Sequence, residues 1–296
     1  MKIVLKRLDH YDRDVAMKYS TNAHTRPKGV CAFIMEYGIV GYGHVGKALA
    51  RALGCTAIVQ GHQDIDQAWE KLRPCTVIFL SVSDSAIHTV AQQLAGQGDW
   101  SGKTFLHCSG ALTSEVLQPL ADAGAAIGSL HPLQSFATGE ESLANIYISL
   151  EGAPQVVELG RTIVAQLQGK SIQIPAEQRA LYHAAACLAS NSLVTVVAAA
   201  QDVLSRLTGD KQSALEALLP LIDGTVQNLH KAKQAGEVLT GPISRGDAAT
   251  VAAHVDILPA DILPFYENVS QATVTLALNN KKITAVQAAA LEEILA

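Results

Sequence analysis

Charge is scarce in this chain. Only 17% of its 296 residues are charged and 5% are aromatic, while 49% are hydrophobic. So apolar a composition excludes a disordered chain. Lys and Arg number 22 against 27 Asp and Glu, a formal net charge of −5. That balance gives no general attraction to nucleic acid or to an anionic membrane. Cysteine is sparse too: Cys31, Cys55, Cys75, Cys108 and Cys187 are widely spaced and form no C-x-x-C pair. This excludes a disulfide framework and a zinc knuckle, and a reduced, cytoplasmic setting is expected. No apolar run reaches the ~18 residues of a membrane span without a polar interruption. There is no secretory apolar core with a small-residue cleavage site near the start.

The first 34 residues differ from the rest. Lys2, Lys6, Arg7, Arg13, Lys18, Arg26 and Lys28 stand against Asp9, Asp12 and Asp14, and Met35 directly precedes the first convincing strand. Residues 1–34 are therefore expected to be an extension outside the fold, with Met35 the natural start in one version of that reading.

From Tyr37 onward, strand and helix alternate. Tyr37–Gly41, Thr56–Val59, Thr76–Val82, Thr104–Cys108, Ala125–Leu130, Tyr147–Leu150 and Ser171–Ile174 read as strands. The run Thr76–Val82 is continuously apolar, as in a strand covered on both faces. Helices are expected at His44–Leu53, Asp64–Leu72, Asp84–Leu94 with Asp84 as cap, Thr113–Leu120 and Pro154–Leu167. Repeated βαβ units with short connections predict a mostly parallel sheet. After Pro175 the strand signal stops. Glu177–Leu207 reads as one long helix, and Ser213–Gly236 as a helix interrupted by Pro220 and Gly224. Asp247 is a plausible N-cap, and Thr284 with Gln287 spells a capping box. The fold class is thus an α/β Rossmann domain at residues 35–174, followed by an all-α domain at residues 175–296.

The sequence Gly41-Tyr42-Gly43-His44-Val45-Gly46 follows a strand and opens an amphipathic helix. In that context a G-x-G-x-x-G turn binds a dinucleotide. The first glycine makes the turn, the second admits the pyrophosphate, and the third lets helix and strand pack closely. The helix N-terminus meets the phosphates with free N–H groups. An NAD site usually ends its second strand on a carboxylate, ~20 positions after the first glycine. Here that place reads Gln60-Gly61-His62. The cofactor expected is therefore NADP, with Gln60 or His62 near the 2′-phosphate and NAD the alternative.

Ligands of open α/β sheets lie beyond the carboxyl ends of the strands. Val82, Ser83 and Asp84 end the third strand, Ser109 follows the fourth, and His131 follows the fifth. Ser83 and Ser109 are candidates for the ribose and nicotinamide. His131 is a candidate for a hydrogen bond to substrate or cofactor, or for simply fixing a turn before Pro132. His107 reads as part of the sheet.

His183, Cys187, Ser190 and Asn191 fall on one stripe of the long helix. Exposed surface usually carries Lys, Glu and Arg, which are absent from Leu181 to Gln201. The stripe is therefore read as facing a site, with His183 as proton donor or acceptor. Arg245, in the turn Leu239–Asp247, is placed to bind a carboxylate or phosphate through its planar fork, or to pair with Asp247. A metal reading of His131, His183 and His254 lacks any H-x-H or H-x-x-x-H spacing.

GIVGYGHVG, LHCSGAL, GSLHPLQSF, YHAAACLASN and LTGPISRGDAATV, in that order, resemble a known family. It is the Rossmann-like NADP-dependent oxidoreductases with a C-terminal helical domain of unknown function. The resemblance runs from about Met35 to the C-terminus. It implies a helical domain similar to those of the 6-phosphogluconate and β-hydroxyacid dehydrogenases and of pyrroline-5-carboxylate reductase, and a homodimer through that domain. The β-hydroxyacid dehydrogenases place a catalytic lysine four residues before an asparagine on this helix. Asn191 matches the asparagine, but Cys187 stands in the lysine position. The reading is a reductase or dehydrogenase acting on a small carbonyl, hydroxy acid or imine. His183 would be acid/base and Asn191 the orienting group, with Cys187 and Arg245 at the substrate. The alternative is an NADP-binding sensor without turnover.

Overall fold

The computed structural model describes residues 35–60 and 67–296. The extension expected at residues 1–34 lies outside the described residues, as do His62 and Asp64. The chain divides after Ala176 into two compact units.

The first unit carries seven strands: β1 (Tyr37–Val40), β2 (Ala57–Val59), β3 (Val77–Leu80), β4 (Thr104–His107), β5 (Ala126–Pro132), β6 (Tyr147–Gly152) and β7 (Lys170–Gln173). They form one sheet in the order β2-β1-β3-β4-β5-β6-β7. Every pairing is parallel except β5 with β6. Between the strands run α1 (His44–Leu53), α2 (Ala68–Leu72), α3 (Asp84–Ala95), α4 (Gln118–Asp122) and α5 (Pro154–Gln166).

Alternation along the strands divides the core. Phe79 and Leu106 pack with Leu49 of α1 and Ile163 of α5. Ile78, Leu80 and Phe105 pack with Leu72 of α2, Ile87 of α3 and Leu120 of α4. Both faces are covered, which is why β3 is apolar at every position. The order reverses at β1, with β2 on one side and β3 on the other. The crevice beyond the carboxyl end of β1 is where open α/β sheets bind ligands, and the glycine turn stands there.

Two local expectations change here. Asp84 is the first residue of α3 rather than its cap; Ser83 holds the cap position, without a side-chain cap bond. The Asp84 carboxylate instead accepts a hydrogen bond from Ser109. His131 and Pro132 belong to β5 rather than to a turn. Antiparallel β6 extends the ladder to them, pairing His131 with Ser149 and Pro132 with Ile148.

The second unit holds α6 (Arg179–Ala189), α7 (Asn191–Thr208), α8 (Lys211–Lys231), α9 (Pro242–Arg245), α10 (Ala248–Ile257), α11 (Leu263–Asn279) and α12 (Ala285–Ile294). No strand is present among its residues. The long helix expected at 177–207 is broken at Ser190, where φ is −118° and ψ −74°. Ser and Asn side chains compete for backbone hydrogen bonds and favour helix ends, and Ser190-Asn191 supplies both. Conversely, α8 runs unbroken through Pro220. Proline there removes one N–H, and the position is exposed, so water can satisfy the carbonyl it frees. Asp247 caps α10 through Thr250, and Thr284 with Gln287 forms the capping box of α12.

Burial within this unit is uneven. Ile243, Val251, Val274, Ala277, Ile283, Ala288, Leu291 and Leu295 make a core among α9–α12. Along α6–α8 only Arg179 and Ala214 are buried. Leu181 is 73% exposed, Leu188 69%, Val194 68% and Leu207 82%. By length and composition alone, residues 176–208 are apolar enough to cross a membrane.

Candidate functional site

The glycine turn shows three different constraints. Gly41 has φ +96°, and a Cβ there would lie 2.8 Å from the Ser81 backbone. Gly46 is tighter still: its Cβ would clash with the Gly41 carbonyl oxygen and lie 2.6 Å from Ser81 Oγ. Gly43 is the N-cap of α1, in an extended conformation that any residue adopts. A Cβ there meets nothing within 4 Å. Gly41 and Gly46 are thus glycines for the fold, whereas the space at Gly43 is open among the described residues.

The α1 N-terminus has no side-chain cap and no acidic residue in its first turn. Its leading N–H groups and the positive end of the helix are left for an anion. These residues fit a dinucleotide pyrophosphate. His44 Nδ1 lies 3.0 Å from the Phe136 carbonyl. A carbonyl only accepts, so Nδ1 is the donor. Tyr42 and Val45 are half-buried beside the turn, with Lys47 Nζ 6.0 Å from the Tyr42 ring centroid. Gln60 directly follows β2 and is exposed; His62 lies outside the described residues.

The next two strand ends are tied to the turn and to each other. Ser81 Oγ donates to the Gly41 carbonyl at 2.6 Å, a contact that sequence reading missed. Val82 is half-buried and Ser83 exposed, with Ser83 Oγ 3.4 Å from Ser85 Oγ. Ser109 Oγ donates to Asp84 Oδ2 at 2.8 Å and accepts from Ala111 N and Leu112 N. His107, wholly buried, accepts from Ser109 N through Nδ1 at 3.2 Å. Its Nε2 therefore carries the proton and donates to the Thr113 carbonyl at 3.1 Å. Cys108, between His107 and Ser109 in the chain, is half-buried, and desolvation pushes its thiol up to about 12.

Across the sheet, Glu151 takes Ser114 N at 2.6 Å and Ser114 Oγ at 2.8 Å on its two oxygens. It stands in register with Ser129, which stands in register with His107. A buried carboxylate on the strand before a helix carried no sequence signal. His131 is half-buried two residue pairs further along.

In the helical unit, His183 Nε2 lies 3.5 Å from Cys187 Sγ. The i, i+4 spacing brings these two together. The break at Ser190 interrupts the stripe before Asn191, which opens α7. Arg245 ends α9 and is exposed. It forms no ion pair with Asp247, whose carboxyl is held below its usual range by two hydrogen bonds from Thr250, with Arg245 and His254 adding to the effect. Among the described residues no group of three His, Cys, Asp or Glu is placed to hold a metal ion.

Residues 62–132 match a Rossmann-like domain, and residues 146–273 match a domain of unknown function, DUF2520. The second match begins within the sheet, at β6. No curated protein matches the chain. Among solved structures, protein TM1727 from Thermotoga maritima is 25% identical, over 88% of this chain and 98% of its own, with TM-score 0.59. A Bacteroides fragilis protein described as a candidate NADP oxidoreductase is 20% identical over 87% and 97%, with TM-score 0.62. A pyrroline carboxylate reductase of Plasmodium falciparum, solved with NADP bound, is 13% identical over 89% and 99%, with TM-score 0.56. At such identities the last two show a shared fold.

Proposed function

We propose that this chain, a Rossmann-like domain followed by DUF2520, is an NADP-dependent oxidoreductase acting on a small carbonyl, hydroxy acid or imine. The observation that carries the reading is the pair of glycines Gly43 and Gly46. One is packed against the strand, and the other opens an uncapped helix start at the carboxyl end of β1. Gly41, Tyr42, Gly43, His44, Val45 and Gly46 would hold the pyrophosphate. Val82, Ser83, Asp84 and Ser109 belong to strand ends where ribose and nicotinamide are bound in this fold class. Gln60, an amide where NAD sites carry a carboxylate, supports NADP over NAD. The NADP named for the Bacteroides and Plasmodium proteins agrees with that choice.

Bound NADPH would supply the hydride. The chain's own work is to bind, orient and manage one proton. His183 is assigned the proton, because imidazole exchanges one near neutrality. Asn191 is assigned to orient the substrate oxygen or nitrogen, with His131 as a further hydrogen-bonding candidate. Cys187 replaces the lysine of the resembling dehydrogenases, so no ammonium assists on this helix.

A second copy of the chain is the proposed partner. The exposed leucines and valines of α6–α8 are more apolar surface than a lone soluble chain usually shows. A homodimer in the cytoplasm would cover it.

The test of turnover is deuterium transfer from C4-deuterated NADPH into small 2-oxo acids, aldehydes and imines. The proposal expects stereospecific label in product, with His183→Ala cutting the rate by a factor on the order of 10²–10⁴. His183→Ala at full rate would remove His183 from the mechanism. A protein that binds NADPH and transfers no label would be the sensor that the missing lysine favours.

A further inference from the structure

Among the described residues of the first unit, the buried polar and charged side chains are His107, Ser109, Ser129, Ser149 and Glu151. They stand on β5, on β6 and at the end of β4. His107 is in register with Ser129, and Ser129 with Glu151, so these three share one face of the sheet. Further along that face Ile78, Leu80 and Phe105 are apolar and packed under α2, α3 and α4. Burying a polar group is costly unless it is bonded. A buried carboxylate is the costliest of all, and well-packed apolar residues of similar volume often serve stability as well. The fold alone therefore does not call for this layer.

Its bonds converge on one segment, Ser109–Ser114, beyond the carboxyl end of β4. His107 holds that segment twice: Nδ1 accepts from Ser109 N at 3.2 Å, and Nε2 donates to the Thr113 carbonyl at 3.1 Å. Ser129 Oγ donates to the Ser109 carbonyl at 3.4 Å. Glu151 accepts Ser114 N at 2.6 Å and Ser114 Oγ at 2.8 Å. The backbone of Glu151 is fixed as well. Gly152 beside it has φ +138°, and a Cβ on Gly128, which pairs with Gly152, would lie 2.8 Å from the Glu151 carbonyl oxygen. Inside the segment, Ser109 Oγ accepts from Ala111 N and Leu112 N and donates to Asp84. Three strands and the start of α3 thus hold one short loop.

We propose that Glu151, with His107 and Ser129, is a positioning residue for the nicotinamide end of the bound dinucleotide. It touches no reacting atom. It holds Ser114, and so the loop whose first residue, Ser109, stands with Asp84 at strand ends where this fold class binds ribose and nicotinamide. The pyrophosphate is held elsewhere, at the glycine turn after β1. The loop therefore governs where the ring sits more than whether the nucleotide binds. A misplacement of about 1 Å costs a rate up to about 10²-fold. The inference rests on the dinucleotide-binding reading, and its link to rate rests further on the oxidoreductase reading.

The test compares the full parent chain with Glu151→Ala, Glu151→Gln and Ser114→Ala. Glutamine is the conservative variant: its amide oxygen can accept Ser114 N while its N–H donates to Ser114 Oγ. Ser114→Ala removes the hydroxyl bond alone and serves where Glu151→Ala does not fold. NADPH affinity is read by nucleotide fluorescence, transfer by label from C4-deuterated NADPH, and loop order by hydrogen exchange at Ala111 and Leu112 with and without NADPH. NADPH should protect both amides in the parent and in Glu151→Gln, and fail to do so in Glu151→Ala. Its Kd should stay within about threefold in every variant. The transfer rate should fall about 10–100-fold in Glu151→Ala. Ser114→Ala should lose less, and Glu151→Gln should return to within about threefold of the parent. A merely structural Glu151 would lower the urea midpoint and leave the rate of the folded variants unchanged, which overturns the proposal. It is overturned too if NADPH affinity falls as far as the rate, or if NADPH protects neither amide in the parent. Protection that NADPH confers and Glu151→Ala loses, in a chain that transfers no label, would support the positioning role and overturn the oxidoreductase reading.

Discussion

Gly46 packs against the carbonyl oxygen of Gly41: a Cβ at Gly46 would clash with that oxygen, while one at Gly43 would meet no atom of the described residues within 4 Å. The two glycines should therefore fail differently. Gly46→Ala overpacks the helix–strand contact and should cost about 1–3 kcal/mol in urea unfolding. Gly43→Val should leave stability within about 0.5 kcal/mol while abolishing dinucleotide binding. Equal loss of stability in the two variants would contradict this division.

Ser109 holds two strand ends together through one hydroxyl. Ser109→Ala strands the Ala111 and Leu112 N–H groups and should destabilise by about 1–3 kcal/mol. In Asp84→Asn the amide oxygen still accepts from Ser109, so the loss should stay below about 1 kcal/mol. Unfolding midpoints of the two variants give the comparison, and a larger loss from Asp84→Asn would show the hydroxyl bonds are not the main tie.

Glu141 should make one loop acid-sensitive. Backbone N–H groups, that of Thr138 first and those of Ala137 and Gly139 with it, hold its carboxyl down to about 2. The unfolded value is about 4.3. A depressed carboxyl contributes its stabilisation above the unfolded value and loses it as pH falls toward the folded one. Hydrogen exchange at Ala137, Thr138 and Gly139 should therefore lose protection between about pH 4.3 and 2. Glu141→Gln should lack protection at pH 6 already. A pH-independent protection factor would refute the assignment.

Thiol labelling should rank the cysteines. Burial raises Cys108 to about 12 and Cys75 to about 11, and the thiolate is the reactive form. With iodoacetamide at pH 8, peptide mass spectrometry should find Cys187 alkylated well before either. Early labelling of Cys108 would mean that its strand end opens.

The exposed α6–α8 surface predicts a sedimenting species of twice the 31.2 kDa chain. Leu181→Glu with Leu188→Glu should shift it to a monomer. A parent protein that sediments as a monomer at micromolar concentration would rule out the homodimer.

Much of this was legible in the residues. The strands announced themselves through apolar runs, and the glycine turn through its place between strand and helix. Caps at Asp247 and Thr284 were readable because capping is local chemistry. What escaped depends on contacts distant in sequence. β5 extends through His131 and Pro132 because β6 pairs with it, and a proline turn was the natural local reading. The bonds Ser81 to Gly41, Ser109 to Asp84 and Ser114 to Glu151 join segments 25 to 40 residues apart. The break at Ser190 was locally encoded, but the surrounding alanines and leucines masked it. Pro220 erred the other way: an exposed helix tolerates the one hydrogen bond it removes.

The most direct test of the account is a fluorescence titration with NADPH and NADH, run on the parent chain and on Gly43→Val. The account predicts saturable NADPH binding, weaker NADH binding, and no binding of either nucleotide to a Gly43→Val protein that unfolds at the parent's urea midpoint. NADPH binding that survives Gly43→Val undiminished, or a parent chain that binds neither nucleotide, would contradict it.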